Sequence, residues 1–152
     1  RGNGRNHDLL MIGKDFVVGI EAKVSEPFGK SISNELIDAS ENKRYRINAL
    51  AKELFGCEIN ADNEVLKYQL LTGIVGTLRE ANNNAKSKAL FLVLVFTDGI
   101  KKEDEKAVEN NNKDFADFCK YIGLSVNGGT IQVANVALTI KKVEISLKQT
   151  NL

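Results

Sequence analysis

The alternation of apolar and polar positions predicts that the chain opens with a β-hairpin. Asp8 to Ile12 and Phe16 to Val24 are apolar, β-branched-rich runs on either side of Gly13-Lys14-Asp15. With a period of two, Phe16, Val18, Ile20, Ala22 and Val24 share one face of the second strand, and Val17, Gly19, Glu21 and Lys23 share the other. Pro27, the only proline, ends that strand together with Phe28 and Gly29. Helical spacing follows. Ile32, Leu36 and Ile37 predict a short helix, and Ile47, Leu50, Ala51 and Leu54 form a full stripe that stops at Gly56. Asn63 reads as the N-cap of a long helix carrying Leu66, Leu70, Ile74 and Leu78, which the Asn82-Asn83-Asn84 run ends.

Ala89 to Phe96 is apolar on both faces, the pattern of a central strand covered by helices on two sides. Asp98 to Lys113 is charged and Asn-rich and predicts a solvated helix or an insertion without a core. Phe115, Phe118, Cys119 and Ile122 predict a short helix ending at Gly123, and Asn127-Gly128-Gly129 a turn. Ile131 to Leu138 and Lys142 to Leu147 read as two late strands. No internal repeat or linker interrupts the chain, so residues 1–152 are expected to form one three-layer α/β domain: a mixed central β-sheet with flanking helices.

Composition narrows the function. The 152 residues carry 21 Lys plus Arg against 20 Asp plus Glu, a net charge of +1, so contact with nucleic acid must rest on a local patch. The longest apolar run is far shorter than the roughly 20 residues of a membrane-spanning helix. No basic-then-apolar leader is visible, and a cytoplasmic location is expected. The chain opens at Arg1 rather than Met, and an upstream segment is expected. Cys57 and Cys119 match no zinc spacing and read as buried or idle thiols.

The chemistry concentrates in the hairpin. Glu21 and Lys23 must project from one strand face. A hairpin loop of two residues (Lys14-Asp15) or four (Gly13 to Phe16) would set Asp8 directly opposite Glu21, with Cβ atoms about 4.5–5.5 Å apart, whereas a three-residue loop would break this match. Two neighbouring carboxylates on an apolar hairpin repel and call for a cation. Lys23 supplies one charge, and a divalent metal with oxygen ligands would supply two more. That set suits phosphodiester hydrolysis, in which a metal polarises the phosphoryl oxygen and Lys23 steadies a water or developing charge. The acid-x-Lys triplet alone means little: 20 acids and 16 lysines give about two by chance, and three occur, Glu21/Lys23, Glu41/Lys43 and Asp104/Lys106. Only the first lies on a strand behind an upstream Asp. The plainer reading, a surface ion pair on a solvated sheet, is weakened by Val17 and Gly19 on the same face.

With Asp8, Glu21 and Lys23 in this order, the acids 13 positions apart, the sequence resembles the PD-(D/E)XK nuclease superfamily, the restriction-endonuclease-like fold. The proline of that signature is absent, and Asn6-His7 stand before Asp8. Glu21-Ala22-Lys23-Val24, Glu26-Pro27-Phe28-Gly29, Lys43-Arg44-Tyr45-Arg46-Ile47 and Lys67-Tyr68-Gln69-Leu70-Leu71 resemble an uncharacterised bacterial branch of it. The resemblance implies a restriction-endonuclease-like sheet, with Mg²⁺ (or Mn²⁺) held by Asp8, Glu21 and the carbonyl of Ala22, and Lys23 as the catalytic lysine. It also makes Tyr68 and Gln69 accessory candidates.

Arg44 and Arg46, beside Lys43, form the best local basic patch and are candidates for phosphate contact. The plainer reading is a helix start paired with Glu41. Glu26 is a candidate accessory acid or a brace for the Pro27 turn, and His7, though next to Asp8, reads as neither ligand nor base. Three readings stay open. The first is a metal-dependent nuclease acting on DNA or RNA, DNA being favoured, with a homodimer expected if both strands of a duplex are cut. The second is an inactive nuclease-fold module that binds nucleic acid or a protein partner in a bacterial defence or repair system. The third is a hydrolase of another phosphate ester.

Overall fold

The computed structural model describes residues 7–97 and 105–146. Strand β1 (Leu9–Ile12) pairs antiparallel with β2 (Phe16–Lys23). The turn between them is Lys14-Asp15, closed by the Gly13 N–H donating to Phe16 O at 2.8 Å. Helices α1 (Ile32–Leu36), α2 (Glu41–Phe55) and α3 (Tyr68–Asn83) follow, then β3 (Lys88–Phe96), α4 (Glu105–Tyr121), β4 (Gly128–Val133) and β5 (Val136–Ile145). The five strands form one mixed sheet in the order β1-β2-β3-β5-β4, with β2, β3 and β5 parallel and an antiparallel strand at either edge.

Local chemistry explains most helix ends. The Ser31 and Ser40 hydroxyls accept from Asn34 N–H and Lys43 N–H, and so cap α1 and α2. Gly56 closes α2 with φ 73°, a left-handed conformation costly for a side-chain-bearing residue. Arg44 joins the first two helices, because its guanidinium donates to Leu36 O at 2.8 Å and to Ala39 O, just past α1, at 3.1 Å. Asn84 caps α3, so the Asn82-Asn83-Asn84 run does end that helix.

Three element boundaries differ from the sequence expectation. Asn63 does not cap α3, which starts at Tyr68. Residues 64–66 instead offer carbonyls to the first turn of α1, with Ile32 N–H on Leu66 O (2.9 Å) and Ser33 N–H on Glu64 O (2.8 Å). Asn63 itself is fully buried and donates to Glu58 O and to the Tyr121 hydroxyl, both at 3.2 Å, tying the loop after α2 to the end of α4. The helix expected around Phe115 to Ile122 begins at least as early as Glu105, so from there the charged, Asn-rich segment takes the helical of its two readings and continues into that helix. Asn111 is buried and donates to Glu26 O at 2.8 Å, and Asn112 accepts from Lys142, so tertiary partners replace the missing apolar stripe. Residues 98–104 lie outside the described residues. Ile131 to Leu138 is not one strand but a hairpin, turning at Ala134-Asn135 with Ala134 at φ 50°. That turn lacks the glycine that would mark it.

The layering also differs. Val17, Gly19, Glu21 and Lys23, with Phe91 and Val93 of β3 and Leu138 and Ile140 of β5, share the sheet face that the helices cover. α3 packs directly on β2, β3 and β5, and α2 packs on α3. α4 lies on the same side, through Lys142 to Asn112 and through Phe118, whose ring centre is 5.7 Å from that of Phe55. On the opposite face Leu90, Leu92 and Leu94 are half-buried, and Leu9 and Met11 are 51% and 48% exposed. Among the described residues the architecture is therefore two layers, not three. The apolar character of β3 on both sides reflects a central position in the sheet, where neighbouring strands shield even an uncapped face.

α3 approaches the sheet closely at Gly19. A Cβ built there would stand 2.1 Å from Thr77 Oγ1 and 2.7 Å from the His7 ring, and one at Gly73 would stand 2.6 Å from the Phe91 ring. His7 fills the remaining space, with Nε2 3.0 Å from Gly73 O and 2.9 Å from Thr77 Oγ1. Gly73 O can only accept, so this nitrogen carries the proton. Gly19→Ala is expected to lower stability by about 1–3 kcal/mol through overpacking. Urea denaturation measures it, and an unchanged midpoint would contradict the close approach.

The two thiols differ. Cys57 is half-buried and faces the Tyr121 hydroxyl at 3.8 Å. Cys119 is buried in the core, and burial pushes its thiol up to about 12. Folding therefore favours the protonated thiol, and its contribution to stability is lost as the pH rises from about 9 towards 12. At pH 8 a thiol reagent should modify Cys57 and spare Cys119 until the protein is unfolded, as peptide mass mapping would read.

Candidate active site

Glu21 and Lys23 lie two residues apart on β2, on the face under α3, and are only 3% and 5% exposed. Lys23 Nζ stands 3.1 Å from Glu21 Oε1. Gln69, in the first turn of α3, completes the group: its Nε2 donates to Glu21 Oε1, and its Oε1 accepts from Lys23 Nζ at 3.2 Å. A carboxamide suits this place because one end donates to an anion while the other accepts from a cation. The Lys23 ammonium also lies 5.6 Å from the centre of the Phe28 ring, which favours the cation further. The face that carries this pair is thus covered by α3.

Asp8 reaches the site from β1. The two-residue turn sets the register that brings Asp8 across from Glu21, as the sequence allowed. The regular ladder, however, stops at Leu9↔Ile20, and the Asp8 N–H donates to Ile20 O at 3.1 Å. By the alternation of an antiparallel pair, the Ala22 N–H and C=O point to this same edge of β2. There the Asp8 carboxylate takes the place of a backbone carbonyl, accepting the Ala22 N–H at 2.7 Å. The two acids therefore do not form a shared buried pair. Asp8 is exposed and held by a peptide, whereas Glu21 is buried and balanced by Lys23.

The remaining candidates separate. The Glu26 carboxylate accepts the Val24 N–H at 3.0 Å and its carbonyl accepts from Asn111, so this residue braces the Pro27 turn. Arg44 is committed to the carbonyls at the end of α1. Arg46 donates to the Tyr68 hydroxyl at 3.2 Å, and both line a cavity of about 520 Å³ beside Gln69 and His7. His7 holds α3 to β2. Sequence reasoning proposed Gln69 by position only. The signal for it is a polar side chain in the first turn of α3, next to the apolar stripe. Phe28 was read only as part of a turn.

Residues 1–149 match the family model described as "Domain of unknown function (DUF6946)". The chain belongs to that family. No curated protein and no solved structure matches the chain. A DUF6946 chain of this architecture thus carries a buried acid–lysine–amide group beside an exposed aspartate. Among its described residues no three His, Cys, Asp or Glu side chains cluster in a way that could hold a metal ion. No described helix is long and apolar enough to cross a membrane.

Removing one partner of a buried pair leaves an uncompensated charge. Lys23→Met is expected to cost about 3–5 kcal/mol, and Glu21→Gln/Lys23→Met together clearly less. Equilibrium denaturation of the wild type, Lys23→Met, Glu21→Gln and the double variant compares them; a double-variant loss equal to the sum of the two single losses would show that the pair is not coupled.

Proposed function

We propose that this chain is a metal-dependent, nuclease-like phosphodiester hydrolase with a restriction-endonuclease-like site. The observation that carries the reading is the convergence of the Asp8 carboxylate, the Ala22 peptide and the Glu21–Lys23 pair at the end of one strand hairpin. The donor set fits a hard dication: two carboxylates and a peptide carbonyl edge, all oxygen, as Mg²⁺ or Mn²⁺ prefers. Asp8, Glu21 and Ala22 O would hold the ion. When bound, such an ion polarises a phosphoryl oxygen and acidifies a water.

The protein's own groups do the rest. Lys23 presents an ammonium that orients the attacking water and offsets charge developing on the phosphate. Gln69 fixes the Lys23 and Glu21 side chains relative to each other, which spares reorganisation during the reaction. Arg46 offers a cation to the phosphate backbone nearby. DNA is the favoured substrate and a bacterial cytoplasm the favoured setting.

A second reading is an inactive nuclease-fold module that binds nucleic acid or a protein partner. It is favoured by the fact that both carboxylates already engage protein donors, Asp8 with a peptide N–H and Glu21 with Lys23 and Gln69. Asp8→Asn tests the choice cleanly, because the amide oxygen can still accept the Ala22 N–H and the position is exposed. The expected result is Mg²⁺- or Mn²⁺-dependent cleavage by the wild type and a loss of about 100-fold or more in the variant, with unchanged thermal unfolding. No cleavage by the wild type, together with no heat of Mn²⁺ binding in calorimetry even with an uncleavable oligonucleotide present, would favour the module.

A further inference from the structure

Beside the acid–lysine group runs a groove along α3. One wall and the floor come from α3, from Tyr68 and Thr72 past Gly76 to Arg79, Glu80 and Asn83, so one carboxylate also lines the far part. Arg46 and Leu50 of α2 line it as well, and His7 lies against Gly76 midway along it. From Tyr68 to Asn83 the helix rises about 22 Å. The groove is therefore long, and its volume of about 520 Å³ is that of a pocket for a small organic unit.

Its chemistry is graded. At the Gln69 end stands Arg46, whose guanidinium meets the Tyr68 hydroxyl and has no carboxylate partner among the described residues. The Tyr68 ring beside it offers a flat aromatic surface. Further along, Arg79 is neutralised by Glu53 at 2.7 Å, so the positive charge is concentrated next to the candidate active site. Thr72 and Asn83 add hydrogen-bonding groups that can serve base edges.

Resting on the proposed hydrolase reading, we infer that this groove takes a single-stranded stretch of nucleic acid running into the active site. Arg46 meets a backbone phosphate and Tyr68 stacks on a base. A base-paired duplex is too wide for a pocket of this volume, whereas an unpaired or extruded nucleotide suits it. DNA and RNA share the phosphate and the stacking face, so the test carries both.

The test is fluorescence anisotropy on the whole chain in EDTA, with labelled oligothymidylate, oligouridylate, a DNA duplex of the same length, and polyglutamate as a competitor. The expected result is binding of one or both single strands at least about tenfold tighter than the duplex, with little competition from polyglutamate. Arg46→Ala should weaken that binding about tenfold and make its salt dependence shallower by about one phosphate contact. Arg46→Lys should recover part of the loss. Tyr68→Leu, which keeps apolar packing, should weaken binding by about five- to 150-fold through lost stacking. Equal binding of duplex and single strands, displacement by polyglutamate, or indifference to Arg46→Ala overturns the groove assignment. Its failure and that of the hydrolase reading are separable. Duplex cleavage unchanged by Arg46→Ala removes the groove and keeps the activity, whereas single-strand binding without any cleavage in Mn²⁺ keeps the groove and removes the activity.

Discussion

The Glu21–Lys23 pair sits between β2 and α3, and two charges taken out of water there persist only if their remaining hydrogen-bonding atoms find partners. Gln69 meets both groups at once, which fixes where the first turn of α3 must lie. The rest of the helix follows from Gly19 and Gly73, which let it settle against the sheet, and from His7 and Thr77, which lock it there. α2 and α4 then pack around a helix whose position is already set. Site and core are in this sense one construction: the helix that buries the largest apolar stripe also completes the polar group.

Much of this fold is legible in the sequence because it is local. The period-two pattern marks the first hairpin. The stripe in α2 and the glycine after it mark a helix and its end. What escapes is decided by distant partners. Nothing near Asn63 reveals that Leu66 and Glu64 carbonyls will serve residues 32 and 33, so the long helix looks a turn longer than it is. The asparagines of α4 leave helix and insertion both open until Glu26 and Lys142 supply their partners. Hydrophobicity on both faces of β3 cannot separate a helix-covered surface from the interior of a wide sheet.

The site is legible to the same degree. Sharing of one face by Glu21 and Lys23 follows from strand geometry alone, but the register of Asp8 depends on a loop length that the sequence leaves open and the structure shows to be two. The sequence does not reveal that Asp8 leaves the ladder and caps a peptide with its side chain, because that depends on the chain bending before β1. Nor does it separate Arg44 from Arg46. Two residues apart on α2, one serves the carbonyls of α1 and the other meets Tyr68.

The neutrality of the Glu21–Lys23 pair has a consequence for charge balance. With those two cancelling, Asp8 alone would face a dication, leaving one surplus positive charge at the mouth of the hairpin. An anion arriving there would relieve that surplus, and the ion would in turn hold the anion more tightly. Occupancy by either would thus be weak in isolation and mutually reinforcing, so a site of this kind would fill in concert rather than stand pre-loaded.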